Sequence, residues 1–250
     1  KRLVIEAIRV RDLVAPDTVV DEPQQEIAFA PRALPEEAQA LTAWHIYYQL
    51  KNNNTQVPRE FHDAVIYGAD RAIDYTRYDC YWTPQEAYNL HKRLIIPFTW
   101  RNEIIGYTAR AFYDDVKPKY YSQYEPNYVF NVDKQHRDSK FVIVTEGPLD
   151  AMAIDGVAIL GNECNETQAD IIDALAREVI VVPDKDRAGM KLVDQAIEYG
   201  WSVSFPVWLE TCKDVSEAVE RYGRLFVLKA IIDAKESNAL KIKLKKINYK

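Results

Sequence analysis

From Phe141 onward, short runs rich in β-branched residues alternate with amphipathic stretches, and that alternation leaves very few folds open. Phe141–Thr145, Val157–Leu160, Val179–Val182 and Trp201–Trp208 read as strands. Pro148–Ile154, Glu166–Ala176, Ala188–Tyr199 and Asp214–Tyr222 read as helices, and Ile171, Ile172 and Leu175 form the apolar face of the second. Strands that alternate with helices build βαβ units. The expectation is therefore an α/β domain, a parallel β-sheet flanked by helices. In such sheets ligands collect outside the carboxyl ends of the strands.

Carboxylates stand at those ends. Glu146 follows directly on the first strand, in Glu146-Gly147-Pro148-Leu149-Asp150. Asp184 and Asp186 follow directly on the third, in Asp184-Lys185-Asp186-Arg187-Ala188-Gly189. In extended backbone, residues two apart share a face, so both aspartates are expected to look the same way. Acids gathered at one mouth repel unless a cation sits among them, and oxygen ligands suit Mg²⁺ or Mn²⁺. Each acid taken singly also fits a helix N-cap. Their joint placement, one βαβα unit apart, favours a shared site. Gly147 and Gly189 let the backbone come close to a ligand or turn sharply into a helix.

These residues resemble the Toprim signature, over about residues 141–222. Upstream, Arg93-Leu94-Ile95-Ile96-Pro97-Phe98, Gly106-Tyr107-Thr108-Ala109-Arg110 and Lys117-Pro118-Lys119-Tyr120 resemble the segment that precedes Toprim in bacterial and phage DNA primases. Thr108 and Ala109 stand where that family usually carries two glycines. The resemblance implies a Toprim domain preceded by a smaller α+β primase-type subdomain. It also implies an enzyme that makes short RNA primers on single-stranded DNA from nucleoside triphosphates, by two-metal nucleotidyl transfer. By resemblance, Glu146, Asp184 and Asp186 would be the catalytic and metal-binding set, with two Mg²⁺ or Mn²⁺ ions. Asp150 and Asp214 would support them from behind, and Arg93, Arg110, Lys117 and Lys119 would hold template or nucleotide phosphates. A replicative helicase and a zinc-binding module, upstream or in trans, are the implied partners. A metal-dependent Toprim nuclease and a non-catalytic DNA-binding Toprim module remain the alternatives.

The rest of the chain frames that unit. Residues 1–35 read as a strand-like piece, Leu3–Val10, and a connector with Pro16, Pro23, Pro31 and Pro35. Residues 36–140 read as the smaller subdomain: a helix over Glu36–Leu50, an asparagine loop at Asn52–Asn54, a short helix over Pro58–Ala64, a hairpin over residues 93–112, and a tyrosine-rich loop holding Tyr120, Tyr121, Tyr124 and Tyr128. Residues 141–223 are the Toprim unit, and 224–250 a basic helical tail with Lys241, Lys243, Lys245 and Lys246. The net charge of −6 argues against a protein that is basic throughout, but Lys and Arg concentrate in 91–140 and 224–250. Cys80, Cys164 and Cys212 are isolated, with no CxxC pair, so no zinc site is expected in this chain. No apolar run approaches the roughly 20 residues of a membrane span, so an intracellular protein is expected, and the resemblance implies the cytoplasm of a bacterial or phage-infected cell.

Overall fold

A computed structural model describes residues 27–43, 58–186, 189–208 and 212–249. Leu3–Val10, Pro16, Pro23 and the Asn52–Asn54 loop lie outside the described residues. Two five-stranded sheets organise the rest.

The first sheet is antiparallel, in the order β1 (Gln39–Ala40), β2 (Tyr81–Trp82), β3 (Arg93–Trp100), β4 (Glu103–Ala111) and β5 (Tyr120–Gln123). The hairpin β3–β4 is its centre. Its turn residues Arg101 and Asn102 both have positive φ, 52° and 67°, as a tight two-residue hairpin turn demands. Helix α1 (Arg59–Asp70) buries Phe61 and Ala64. It begins where the short helix was expected and runs further. Two expectations fail here. Instead of a helix from Glu36, the described part of that segment holds β1 and a 3₁₀ turn over Leu41–Ala43. Gln39 pairs with Trp82, the Leu41 amide donates to the Cys80 carbonyl at 2.8 Å, and Leu41 is fully buried, so strand pairing overrides helical spacing. Tyr120 and Tyr121 belong to β5 rather than to a loop, held by pairing with Arg110 and Ala109.

The second sheet runs β10 (Lys235–Glu236), β9 (Ser202–Ser204), β8 (Glu178–Val181), β6 (Phe141–Thr145) and β7 (Val157–Ala158). The strands from β6 to β9 are parallel and β10 is antiparallel, which the α/β expectation did not include. Helices α2 (Pro148–Ile154), α3 (Glu166–Asp173), α4 (Gly189–Tyr199), α5 (Val215–Tyr222), α6 (Arg224–Asp233) and α7 (Ala239–Asn248) cover its faces. From α3, Ile171 and Ile172, and from α4, Leu192, Val193 and Ala196, pack on one face. Ala153 and Ile154 of α2, Val215, Ala218 and Val219 of α5 and Val227 and Ile231 of α6 pack on the other. The fourth strand stops short of its expected end at Trp208, because Pro206 cannot donate to a ladder.

Strand order fixes where a site can form. The chain leaves β6 toward β7 on one side and returns to lay β8 on the other. The crevice between the carboxyl ends of β6 and β8 is thus a topological switch point, where such sheets bind ligands. The two sheets also share a core. Leu94, Ile96 and Phe98 of β3 pack with Leu149, Ala151 and Met152 of α2 and Ala158 of β7. The three cysteines are buried in three separate clusters. No described helix is long and apolar enough to cross a membrane.

The basic carboxy-terminal stretch is built into this fold. β10 extends the sheet, and Ile242 of α7 is 1% exposed in the same cluster as Leu192 and Trp201. Ile242→Ala is expected to destabilise the protein by about 2–4 kcal/mol, the cost of emptying a well-packed aliphatic site. Urea unfolding would read this as a lower midpoint at an unchanged slope.

Candidate active site

Glu146 leaves the end of β6 and Asp184 follows β8, so the switch point brings them side by side. The Asp184 amide donates to Glu146 Oε1 at 3.3 Å. Glu146 does not cap a helix. Gly147 is the N-cap of α2, and Asp150 falls in that helix's first turn. Asp150 Oδ1 accepts the Ser216 amide at 2.8 Å. Asp214 is the N-cap of α5, its Oδ1 accepting the Glu217 amide at 2.9 Å and the Ser216 hydroxyl at 3.0 Å. Glu146, Asp150, Asp184 and Asp214 all line one cleft of about 480 Å³.

Asp186 is placed differently. The Asp186 amide donates back to the Asp184 carbonyl at 2.8 Å, so the loop turns where extended backbone was expected. Asp186 is exposed, is absent from the cleft lining, and accepts the Gly189 amide at 2.9 Å at the start of α4. It stands at the rim with a helix to cap. Gly189 is required by close approach: a Cβ there would collide with the Asp184 carbonyl and lie 3.0 Å from Glu146 Oε1.

Burial pushes Glu146 up to about 7, and the charges of Asp186 and Asp150 add to it against the stabilising Asp184 amide. Asp184 is also pushed up to about 7, first by burial and then by Glu146, Asp214 and Asp186. Asp150 is raised by burial and by Asp214 and Asp184. This is the signature of desolvated like charges that Lys119 and Arg71 offset only in part. Such an oxygen-only set fits a hard divalent cation, with Glu146 and Asp184 as the residues to hold it and Asp150 and Asp214 next to them. Among the described residues, no three of these groups converge into a ready coordination shell.

The opposite wall is cationic. Arg110 of β4 and Lys119, just before β5, line the cleft as expected. Arg110 is 7% exposed, its guanidinium lies 4.6 Å over the Tyr120 ring, and its Nε has no hydrogen-bond partner. Lys119 is held below its ordinary pKa by desolvation and by repulsion from Arg110 and Arg71. No ion pair joins this wall to the acids among the described residues.

Two predicted residues are elsewhere. Arg93 is 1% exposed and off the cleft. Its guanidinium is spent on the carbonyls of Tyr88, Ala109 and Lys119, at 3.1, 3.3 and 3.4 Å. It is a brace inside the first sheet, and a cation so deep survives only because those carbonyls satisfy it. Lys117 is exposed and also off the cleft. Conversely, Arg71, at the carboxyl end of α1, lines the cleft and donates to the Ser216 hydroxyl at 3.3 Å. Burial works against its charge, but Tyr67, Asp214 and Glu217 outweigh this and raise its pKa. Nothing in the local sequence marks Arg71. Only the packing of α1 on β3, in the core that β3 shares with α2, brings it there.

Residues 143–219 match the Toprim-like family. A curated DNA primase from Aquifex aeolicus (strain VF5) is 24% identical over 152 residues, which are 53% of this chain and 30% of that protein. The RNA polymerase domain of Mycobacterium tuberculosis primase DnaG superposes with a TM-score of 0.61 at 19% identity, covering 79% of this chain and 82% of that one. The catalytic domain of a DnaG primase bound to single-stranded DNA superposes at 0.58 and 17% identity, covering 77% and 80%. The chain therefore has the fold of bacterial primase catalytic cores, Toprim sheet included.

The raised carboxylates make stability depend on pH. A group whose folded pKa exceeds its unfolded value, about 4 for these acids, adds stability below that value and loses it as pH rises through the folded one. In chelator, the melting temperature is therefore expected to fall from pH 5 to about pH 7 and to level off by pH 8. Asp184→Asn should flatten the fall and melt higher than the parent at pH 8. A parent curve no steeper than that of Asp184→Asn would refute the mutual repulsion.

Proposed function

We propose that this chain is the catalytic core of a DNA primase, joining ribonucleotides into short RNA on a single-stranded DNA template. One observation carries the reading: in the fold of primase cores, a carboxylate cluster faces a cationic wall across one open cleft. Template and nucleoside triphosphates are polyanions. Arg110, Lys119 and Arg71 would take their phosphates, the arginines by paired N–H donors and the lysine as a mobile charge. Tyr120, against the Arg110 guanidinium, orients that donor. Glu146 and Asp184, with Asp186 at the rim, would hold Mg²⁺ or Mn²⁺, two ions in this reading. Bound there, the cations lower the pKa of an attacking hydroxyl and offset charge building up on the triphosphate. Glu146, the carboxylate at the end of β6, would also take the proton that hydroxyl loses. Asp150 and Asp214 keep the loop before α5 in register with the site. A zinc-binding module and a replicative helicase, in the same or another chain, complete the reading for template choice and loading, in the cytoplasm of a bacterial or phage-infected cell.

The test is primer synthesis on single-stranded DNA with labelled nucleoside triphosphates and Mg²⁺ or Mn²⁺. Short RNA products are expected, reduced at least about a hundredfold by Glu146→Gln. Template degradation in their place would assign a nuclease, and tight template binding with neither product would assign a binding module. In the same preparation, Lys119→Ala should weaken DNA binding about equally across sequences and lower the salt slope by about 1.

A further inference from the structure

The loop between β8 and α4 carries a cation among its acids. Lys185 stands between Asp184 and Asp186. An ammonium on a flexible four-carbon stem is the nearest competitor for those carboxylates, since turning it into the cleft would pair it with them. The structure holds it elsewhere. Lys185 Nζ lies 5.8 Å from the centroid of the Trp208 ring and 5.7 Å from that of Tyr249, and among the described residues it forms no ion pair with a carboxylate.

Both rings are set for this contact. Trp208 is 8% exposed, and Tyr249 packs edge-on against Phe205 with centroids 4.9 Å apart. Trp208 Nε1 and Tyr249 Oη are both buried without a hydrogen-bond partner. Burying an unpaired polar tip is unfavourable, so these side chains are not placed for their polar ends. Their faces are what they offer, and a ring face attracts an ammonium at this range. Tyr249 is delivered by α7, which Ile242 anchors in the core and Lys246 ties to Asp194 of α4 at 2.6 Å.

We propose that Trp208 and Tyr249 form an aromatic clamp that holds the Lys185 ammonium out of ion pairing with the neighbouring acids, leaving Glu146 and Asp184 open to a divalent cation. Tyr249 is thus a positioning residue that acts through Lys185. The inference rests on the reading that Glu146 and Asp184 hold that cation.

The experiment titrates the chain with Mn²⁺ and follows the free ion by electron paramagnetic resonance, with no substrate present. Tyr249→Leu stays apolar and removes the ring face, and Mn²⁺ affinity is expected to fall about tenfold. Tyr249→Phe keeps the face and should bind as the parent does. The double variant Lys185→Gln, Tyr249→Leu should recover parental affinity, because the competing ammonium is gone. A merely structural role for Tyr249 would leave that loss unrescued. Trp208→Leu attacks the clamp from the other side and should show the same loss and the same rescue, so one poorly folded variant does not decide the matter. Parental affinity in both Leu variants, or a loss that Lys185→Gln fails to restore, would overturn the clamp while leaving the metal reading intact. Absence of Glu146-dependent Mn²⁺ binding in the parent chain itself would overturn both.

Discussion

Carboxylates crowded together and partly stripped of water are the constraint to which the rest of this structure answers. The strand order places Glu146 and Asp184 together, and α2 and α5 bring Asp150 and Asp214 beside them. Lys119 and Arg71 across the cleft offset their charge only in part and form no ion pair with them among the described residues. Each instead accepts one backbone amide: Asp184 for Glu146, Ser216 for Asp150, Glu217 for Asp214, and Gly189 for Asp186 at the rim. A backbone donor steadies a carboxylate without cancelling its charge. The arrangement fixes the acids in place and keeps them available. It requires that the segments supplying the amides hold still, which explains why a glycine opens α4 and why α5 starts on Asp214.

The cationic wall comes from the other sheet, so the cleft exists only while the two halves stay in register. Three features keep them so. The shared core of β3, α2 and β7 supplies most of the adhesion, as apolar burial generally does. Asp155, in the left-handed conformation at the end of α2, takes Arg77, Arg224 and the Tyr78 hydroxyl at once. It thereby joins the segment before β2 to the start of α6. Arg71 reaches over to Ser216, whose amide already serves Asp150. A cation of one wall and an acid of the other thus share a single serine.

Much of the second sheet is legible in the chain because its strands are short, β-branched and separated by helices with clear apolar faces. The acids after Val144-Thr145 and Val182-Pro183 follow from the same pattern, since βαβ topology dictates which strand ends face a ligand. What the sequence hides is long-range. The pairing of Gln39 with Trp82 overrides the helical spacing of a segment whose partner lies over forty residues away. Arg93 and Arg110 occupy opposite ends of similar strands, yet one braces carbonyls and the other faces the cleft. Strand alternation alone does not say which face is solvated. Arg71 carries no motif at all. Asp186 shows the reverse: its spacing from Asp184 suggested a shared face, and a single turn hydrogen bond takes it to the rim.

Each end of the second sheet carries a short addition. β10 folds back antiparallel along β9, and on the far side Phe130 bridges β7 through reciprocal bonds with Ala158, at 2.8 and 3.2 Å. Unpaired strand edges invite pairing with other chains, so both closures guard against sticky intermediates. They are not available at the same moment. During synthesis Phe130 emerges before its partner strand and can cover it at once, whereas β9 waits for residues 235 and 236 to leave the ribosome. A nascent chain paused between the two leaves the outer backbone groups of β9 unpaired, and chaperone engagement in that interval would fall there.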